Sequence, residues 1–349
     1  MGVFDALGGE YETISFHHDP ASGLRCIIAI YSTALGPALG GTRFWPFESE
    51  EAALRDVLRL SRAMAYKASA AGLALGGGKA VVIGDPHSAK TPDLLRAYGR
   101  AVERLGGSYI TTADVGTTSE DMDVIATATN FVTGTTRGSG DPSPVTAYGV
   151  WYGMKAVAEE AWGDPSLSGR HVAVQGTGKV GSGLVRHLAR EGAQLTIADI
   201  DATAAEALAA EVGADVVSAD EITRVPCDIF APCALGAVVN DSTLPAFKCR
   251  AIAGAANNQL ERPDHGRALA DGSILYAPDY VINAGGLINV EDELHGYDPD
   301  RAHAAAAAIA DRLRNVFARA KSESIPPFEA ADRIAGERIR AAAVRDRTI

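Results

Sequence analysis

The sequence predicts an α/β protein of two domains, and three observations carry that reading. Its 349 residues exceed one domain of roughly 150 residues. From His171 onward, short apolar stretches alternate with helical ones, the pattern of a parallel sheet covered on both faces. Between the first such strand and helix stands Gly176-Thr177-Gly178-Lys179-Val180-Gly181, a G-x-G-x-x-G turn.

The first third mixes strands and helices. Leu24 to Tyr31 (L-R-C-I-I-A-I-Y) reads as a buried strand between Gly23 and Gly36-Pro37. Ser49 stands as an N-cap, with Glu50 and Glu51 where the helix dipole favours acids. Leu54, Val57, Leu58, Ser61, Met64, Ala65 and Ala68 then recur at helical spacing opposite Arg55, Arg59 and Arg62, and Gly72 ends the run. A strand over 80–83, a helix over 92–105 and a strand over 108–112 follow. Residues 134–144 are densest in breakers, and the domain boundary is set there. The expected division is 1–135, 136–325 and a closing helix within 326–349.

In the second domain, strands are expected over 171–175, 194–199 and 214–217, with helices running to Arg190 and over 201–212. Further strands are expected over 228–231, 251–254 and 274–276. A long Ala-rich helix is expected over 302–321, with Pro326-Pro327 behind it and a last helix near 329–344. No repeat with a period of roughly 20–50 residues is visible.

Composition excludes several function classes. Lys and Arg number 32 against 44 Asp and Glu, a formal net charge of −12, which opposes nucleic-acid binding and docking on anionic membranes. No apolar run approaches the roughly 18 residues that span a bilayer. Met1-Gly2-Val3-Phe4-Asp5-Ala6 lacks the basic and apolar stretches of a signal peptide, so a cytoplasmic protein is expected. Cys26, Cys227, Cys233 and Cys249 are too scattered for a disulfide framework. No histidine lies near them at zinc spacing, and adjacent His17 and His18 point opposite ways on a strand, so no metal is expected.

The G-x-G-x-x-G turn follows H-V-A-V-Q and opens an amphipathic helix, the setting of a dinucleotide loop. Gly176 permits the tight turn, Gly178 the approach of a pyrophosphate and Gly181 close helix–strand packing. Thr177, Lys179 and Val180 complete the loop, and the helix N-terminus offers N–H groups to phosphate. Asp199, ending the next strand, can accept both ribose hydroxyls and repels a 2′-phosphate, which favours NAD over NADP. Gly76-Gly77-Gly78-Lys79 is not a phosphate loop, since Leu73 and Ala80 stand where Gly and Ser or Thr are required. Lys79 instead enters an apolar strand, where burial lowers an ammonium pKa and suits it to act on water. Lys67 flanks the preceding helix, and Asp114 follows a strand as a candidate acid–base carboxylate; taken singly, each also reads as an ordinary surface or turn residue.

Nearly end to end, the chain resembles the Glu/Leu/Phe/Val amino-acid dehydrogenases, most of all their leucine and valine branch. The resemblance rests on L-G-P-A-L-G-G-T-R-F from Leu35, the Lys67 helix, L-G-G-G-K ending at Lys79, and A-D-V-G-T-T from Ala113. It continues through P-S-P-V-T-A-Y-G-V from Pro142, G-T-G-K-V-G, A-P-C-A-L-G from Ala231, G-A-A-N-N-Q-L from Gly254 and A-P-D-Y-V-I-N-A-G-G from Ala277. The resemblance implies an N-terminal substrate-binding and oligomerisation domain, a Rossmann domain presenting NAD across a cleft, and a last helix returning to the first domain. It implies reversible oxidative deamination of an apolar L-amino acid to the 2-oxo acid and ammonia, by a homo-oligomer. Lys67 would bind the α-carboxylate, Lys79 activate water and Asp114 exchange protons with the substrate nitrogen. Gly40, Gly41, Met64 and Ala113 would line the substrate site. Asn257 or Asn258 would touch substrate or cofactor, with Thr146, Cys233, Ala234 and Ala255 near the dinucleotide. Leu39 and Val290, with Leu287 one turn before it, stand where glutamate-specific relatives place a lysine and a hydroxyl residue, so an apolar side-chain pocket is expected. Two alternatives remain open: an aromatic (phenylalanine or tryptophan) dehydrogenase on the same scaffold, and an NAD-binding regulatory protein without catalysis.

Overall fold

A computed structural model describes residues 10–346. Met1–Ala6, read above for a leader, lie outside that span. The chain forms two compact units. One gathers the residues up to Asp141, Val290–Tyr297 and the chain from Ala335; the other holds Pro142–Asn289 and Asp298–Ile334.

The first unit is built on β1 (Thr13–Asp19), β2 (Leu24–Ser32), β3 (Ala38–Trp45), β4 (Gly76–Ile83) and β5 (Tyr109–Ala113), in the order β1-β2-β4-β3-β5. β2 is antiparallel to both neighbours, whereas β3 runs parallel to β4 and β5. The two-residue period of a strand divides the core into two layers. Ile27, Ala29 and Val81 meet Ala53 and Val57 of α1 (Glu50–Ala70). Cys26, Ile28, Ile30 and Val82 meet Leu94, Leu95 and Tyr98 of α2 (Pro92–Glu103) and Met122 and Ile125 of α3 (Ser119–Ala126). Ser49 caps α1 as its sequence position predicts, its side chain accepting from the Ala52 N–H at 3.0 Å.

The sequence reading contained no strand at β3, because Gly40-Gly41 weakens intrinsic strand preference. Tertiary pairing overrides that preference here, since β4 and β5 bond to it on both sides. A side chain at Gly40 would place its Cβ 1.8 Å from the Gly78 carbonyl oxygen, so the close approach of β3 and β4 requires glycine.

The second unit carries β6 (His171–Gln175), β7 (Gln194–Ala198), β8 (Asp215–Val216), β9 (Ile229–Pro232), β10 (Ala251–Ile252) and β11 (Leu275–Tyr276). Their order is β11-β10-β9-β6-β7-β8, and every pairing is parallel. Its helices are α4 (Ser143–Trp162), α5 (Lys179–Glu191), α6 (Ala202–Val212), α7 (Pro263–Asp271) and α8 (Asp279–Ile282), followed by α9 (Gly285–Asp292), α10 (Pro299–Ala307), α11 (Ile309–Glu323) and α12 (Pro327–Asp346). α9 and α12 each run on into residues of the first unit. Strand order reverses at β6, and ligands of such sheets bind beyond the carboxyl ends of the strands at that point.

The single Ala-rich helix expected over 302–321 is two helices that meet at Ala308. The Arg312 guanidinium donates to the Ala305 carbonyl at 3.2 Å across the break. α10 also starts earlier than expected, because the Asp298 side chain caps it and Pro299 takes its first turn.

Candidate active site

In the first unit, Lys79 and Asp114 lie on neighbouring parts of one sheet: Lys79 within β4, Asp114 immediately beyond β5. Lys79 is 5% exposed, and its Nζ lies 2.9 Å from Asp114 Oδ2. Arg43 of β3 donates from Nε to the same Oδ2 at 3.2 Å and from Nη1 to Asp56 of α1 at 2.8 Å. Burial pulls the Lys79 ammonium below the usual lysine range, and the Asp114 charge only partly restores it. Burial alone would raise Asp114, but Lys79 and Arg43 outweigh it and hold the carboxyl below the usual range. Lys79 thus gives up its proton more readily than a surface lysine, and Asp114 holds its charge more firmly than a free carboxyl.

The backbone around the pair is fixed from beneath. Thr117 Oγ1 accepts from the Asp114 N–H at 2.9 Å and donates to the Thr42 carbonyl at 2.9 Å. Tyr109 donates to the Gly40 carbonyl at 2.7 Å, and the Thr42, Tyr98 and Thr111 hydroxyls bond to one another below the strand. A Cβ on Gly41 would lie 2.7 Å from Asp114 Cβ and 3.3 Å from Lys79 Nζ, so any side chain there would push into the pair.

Lys67 is half-buried in the last turn of α1. The helix passes so close to β4 that a Cβ on Gly77 would lie 2.0 Å from the Ala65 nitrogen. The backbones two residues before each lysine are thus in contact. Met64 and Ala113 are half-buried, and Leu39 is 1% exposed between Gly77 and Ile110 of its neighbouring strands. Leu287 and Val290 lie one turn apart on α9, and both are buried. Sequence reasoning missed Asp56, because only folding brings it to Arg43. It also missed Glu293, which accepts from the Gly134 and Ser139 N–H groups at 3.0 and 2.8 Å and holds that loop.

In the second unit, the glycine-rich loop joins β6 to α5. Gly176 has φ +95°, and a Cβ on Gly181 would lie 2.0 Å from the Gly176 carbonyl oxygen, as close helix–strand packing requires. Asp199 Oδ2 accepts from the Thr177 N–H at 2.6 Å and from its hydroxyl at 3.1 Å, while Oδ1 accepts from the Asp201 N–H at 3.0 Å. Burial opposes ionisation of Asp199, but these N–H donors outweigh it and hold the carboxyl below its usual range. Cys233 and Ala234 follow β9 beside the loop; the Cys233 N–H donates to the Gln175 carbonyl at 2.7 Å. Thr146 lies in the first turn of α4, where the Gly285-Gly286 start of α9 packs against it.

Asn257 and Asn258 are exposed, and Asn258 is left-handed at φ +51°. Beneath them Asn283, 3% exposed, donates from Nδ2 to Asn257 Oδ1 at 2.9 Å and to the Ala255 carbonyl at 3.1 Å. That contact fixes which way the Asn257 amide faces, and it was another residue the sequence reading missed.

Among the described residues, Asp241, Glu261 and His265 form one grouping at metal-ligand spacing. Arg262 already occupies Asp241 through two contacts of 2.9 and 3.0 Å, and His265 bonds the same carboxylate, so the grouping reads as an ion-pair cluster.

Residues 12–131 match the family model described as Glu/Leu/Phe/Val dehydrogenase, dimerisation domain. Residues 138–207 and 201–345 match that of Glutamate/Leucine/Phenylalanine/Valine dehydrogenase. The chain belongs to the Glu/Leu/Phe/Val dehydrogenase family. This dehydrogenase is 53% identical to the leucine dehydrogenase of Thermoactinomyces intermedius, over 97% of this chain and 94% of that protein. It is 50% identical to the valine dehydrogenase of Streptomyces albus, over 98% and 96% respectively. The crystal structure of L-tryptophan dehydrogenase from Nostoc punctiforme superposes with a TM-score of 0.90 at 45% identity, covering 98% of this chain and 99% of that one.

As a dehydrogenase with a doubly wound domain, the chain uses a nicotinamide cofactor, and the loop fits one. A Cβ on Gly178 would meet nothing within 4 Å, so the loop faces open space where a pyrophosphate approaches. Gly178 has no side chain to cap α5, and no acidic residue stands in the first turn to repel phosphate. No described helix is long and apolar enough to cross a membrane.

Proposed function

We propose that this dehydrogenase catalyses NAD-dependent oxidative deamination of a branched-chain L-amino acid, reversibly, giving the 2-oxo acid and ammonia. The observation that carries the reading is the Lys79–Asp114 pair at 2.9 Å, packed against Gly41, where only glycine leaves it room. Lys67 holds the substrate α-carboxylate at the rim of this pair. Asp114, whose Oδ1 is used by neither cation, takes and returns protons at the substrate nitrogen. NAD, when bound, supplies the hydride acceptor, and the substrate is left as an iminium. Lys79, held at lowered pKa, orients water for attack on the iminium carbon and stabilises the charge that develops. Gly40, Gly41, Met64 and Ala113 line the substrate, and Leu39, Leu287 and Val290 contribute its apolar walls.

On the cofactor side, Gly176 to Gly181 cradle the pyrophosphate and Asp199 accepts the ribose hydroxyls, which favours NAD over NADP. Thr146, Cys233, Ala234 and Ala255 border the dinucleotide, and Asn257, turned by Asn283, presents its amide to the nicotinamide side. The match of residues 12–131 to a dimerisation domain supports a homo-oligomer assembled through the first unit.

The test is the initial rate of reduced-cofactor formation with leucine, valine, isoleucine, phenylalanine, tryptophan and glutamate, each with NAD and NADP. Burying the distal carboxylate of glutamate against apolar walls costs at least several kcal/mol. At about 1.4 kcal/mol per factor of ten, leucine is expected to exceed glutamate more than a hundredfold in kcat/KM. Equal rates on glutamate would remove Leu39 and Val290 from the pocket wall. A preference for tryptophan, which the L-tryptophan dehydrogenase likeness keeps in view, would replace the branched-chain assignment while leaving the chemistry intact.

A further inference from the structure

Two of the four cysteines are brought together by a strand register. Ile229 of β9 stands beside Ala251 of β10, and Phe230 beside Ile252. Cys227 and Cys249 stand at the same offset two residues earlier, just outside the two strands. Backbone bonds continue through that step: the Cys227 N–H donates to the Lys248 carbonyl at 3.4 Å, and the Arg250 N–H to the Asp228 carbonyl at 3.1 Å. Lateral neighbours on parallel strands point to one face at about 4.8 Å, inside the roughly 4.4–6.8 Å that disulfide-linked Cα atoms span. Both thiols are half-buried on the core to which Val225 and Phe247 also pack, and they share a hydrogen bond.

That bond makes the two sulfurs unequal. Donation from Cys249 holds the Cys227 thiol below the usual range, and the same contact, with burial, pushes Cys249 far above it. Cys26 and Cys233 have no such partner among the described residues, and burial raises both.

We propose that Cys227 and Cys249 are a dithiol that closes to an intramolecular disulfide by exchange with a small disulfide of the glutathione class. The Cys227 thiolate attacks one sulfur of the small disulfide and expels one small thiolate, which takes up a proton. Cys249 loses its proton to solvent and attacks the Cys227 sulfur, expelling the second small thiolate. Two protein thiols are oxidised, and one small disulfide is reduced to two thiols. The pair lies before the amino ends of β9 and β10, whereas the dinucleotide loop and Asp199 follow the carboxyl ends of β6 and β7. The closed form therefore keeps its cofactor residues and gains a staple between two strands.

The reduced protein is incubated with oxidised glutathione, remaining thiols are alkylated, and the digest is weighed. The expected product is one peptide pair joined through Cys227 and Cys249, lighter by two hydrogens than the separate peptides and released by dithiothreitol. The joined form should melt higher by on the order of 5 °C, with kcat/KM on leucine unchanged. Cys227→Ser and Cys249→Ser should each abolish the joined peptide and the melting shift, while the reduced variants retain activity. Glutathione left on Cys227 without a cross-link, or both thiols alkylated as fully as before oxidation, would overturn the proposal.

Discussion

A buried ammonium persists where an opposite charge meets it, and Lys79 meets Asp114 within 2.9 Å. Replacing Lys79 by Ala is expected to lower kcat by about 10²–10⁴, the range of a lost acid–base group, with NAD affinity within about threefold of the parent. Fluorescence titration with NADH beside steady-state rates separates the two effects, and comparable kcat in the variant would take Lys79 out of the chemistry. Lys67→Ala should act chiefly on KM, because a carboxylate clamp serves ground and transition states alike. Asp114 makes a pH prediction whose sign follows from its lowered pKa. Its folded value lies below the unfolded value of about 3.9, so its contribution is complete above about pH 4 and is lost as pH falls through the folded value. Asp114→Asn should therefore destabilise on the order of 2 kcal/mol at pH 7, a figure kept low because the side chain is 25% exposed. Urea unfolding should show that gap closing in acid; a gap independent of pH would deny the ion pair its role. Lys79 and Asp114 could be named from their strand contexts. Arg43, which bridges to Asp56 across 13 positions of sequence, could not, since no local spacing encodes that contact.

Elements were legible where local chemistry and burial agree. The apolar run of β2 and the Ser49 cap of α1 both declare themselves in the residues. β3 was hidden because its glycines serve the approach of neighbouring strands and carry no strand preference of their own. The break at Ala308 was hidden because alanine favours helix on both sides of it and no glycine or proline marks it. Asp298-Pro299, by contrast, is a readable cap that the Ala-rich stretch overshadowed. α12 is fastened to α1 by Ser69, whose hydroxyl donates to the Ala335 carbonyl at 2.8 Å, and by Arg338, which donates to the Ser69, Gly72 and Leu73 carbonyls at 3.2, 3.3 and 2.8 Å. A guanidinium there meets the carbonyls that a helix C-terminus leaves over. Arg338→Met, which keeps much of the apolar stem, should cost about 1–3 kcal/mol in denaturant unfolding and quicken exchange of amides near Ala335. An unchanged midpoint would show the three bonds to be worth little.

At the scale of the molecule, light scattering is expected to give a mass that is a multiple of 36.3 kDa, at least twice that value. A monomer at micromolar concentration would contradict assembly through the first unit. The chain passes from one unit to the other four times, after Asp141, Asn289, Tyr297 and Ile334. Modularity is the casualty. A fragment ending at Asp141 would lack Glu293, leaving the Gly134 and Ser139 amides unmet, and Arg338, leaving the end of α1 uncapped. Exchanging cofactor halves between relatives therefore demands four matched junctions, and a graft with one crossover severs a unit from its own fastenings. For anyone recombining such genes, the workable seams are set by where the backbone re-enters each unit, and they come in fours.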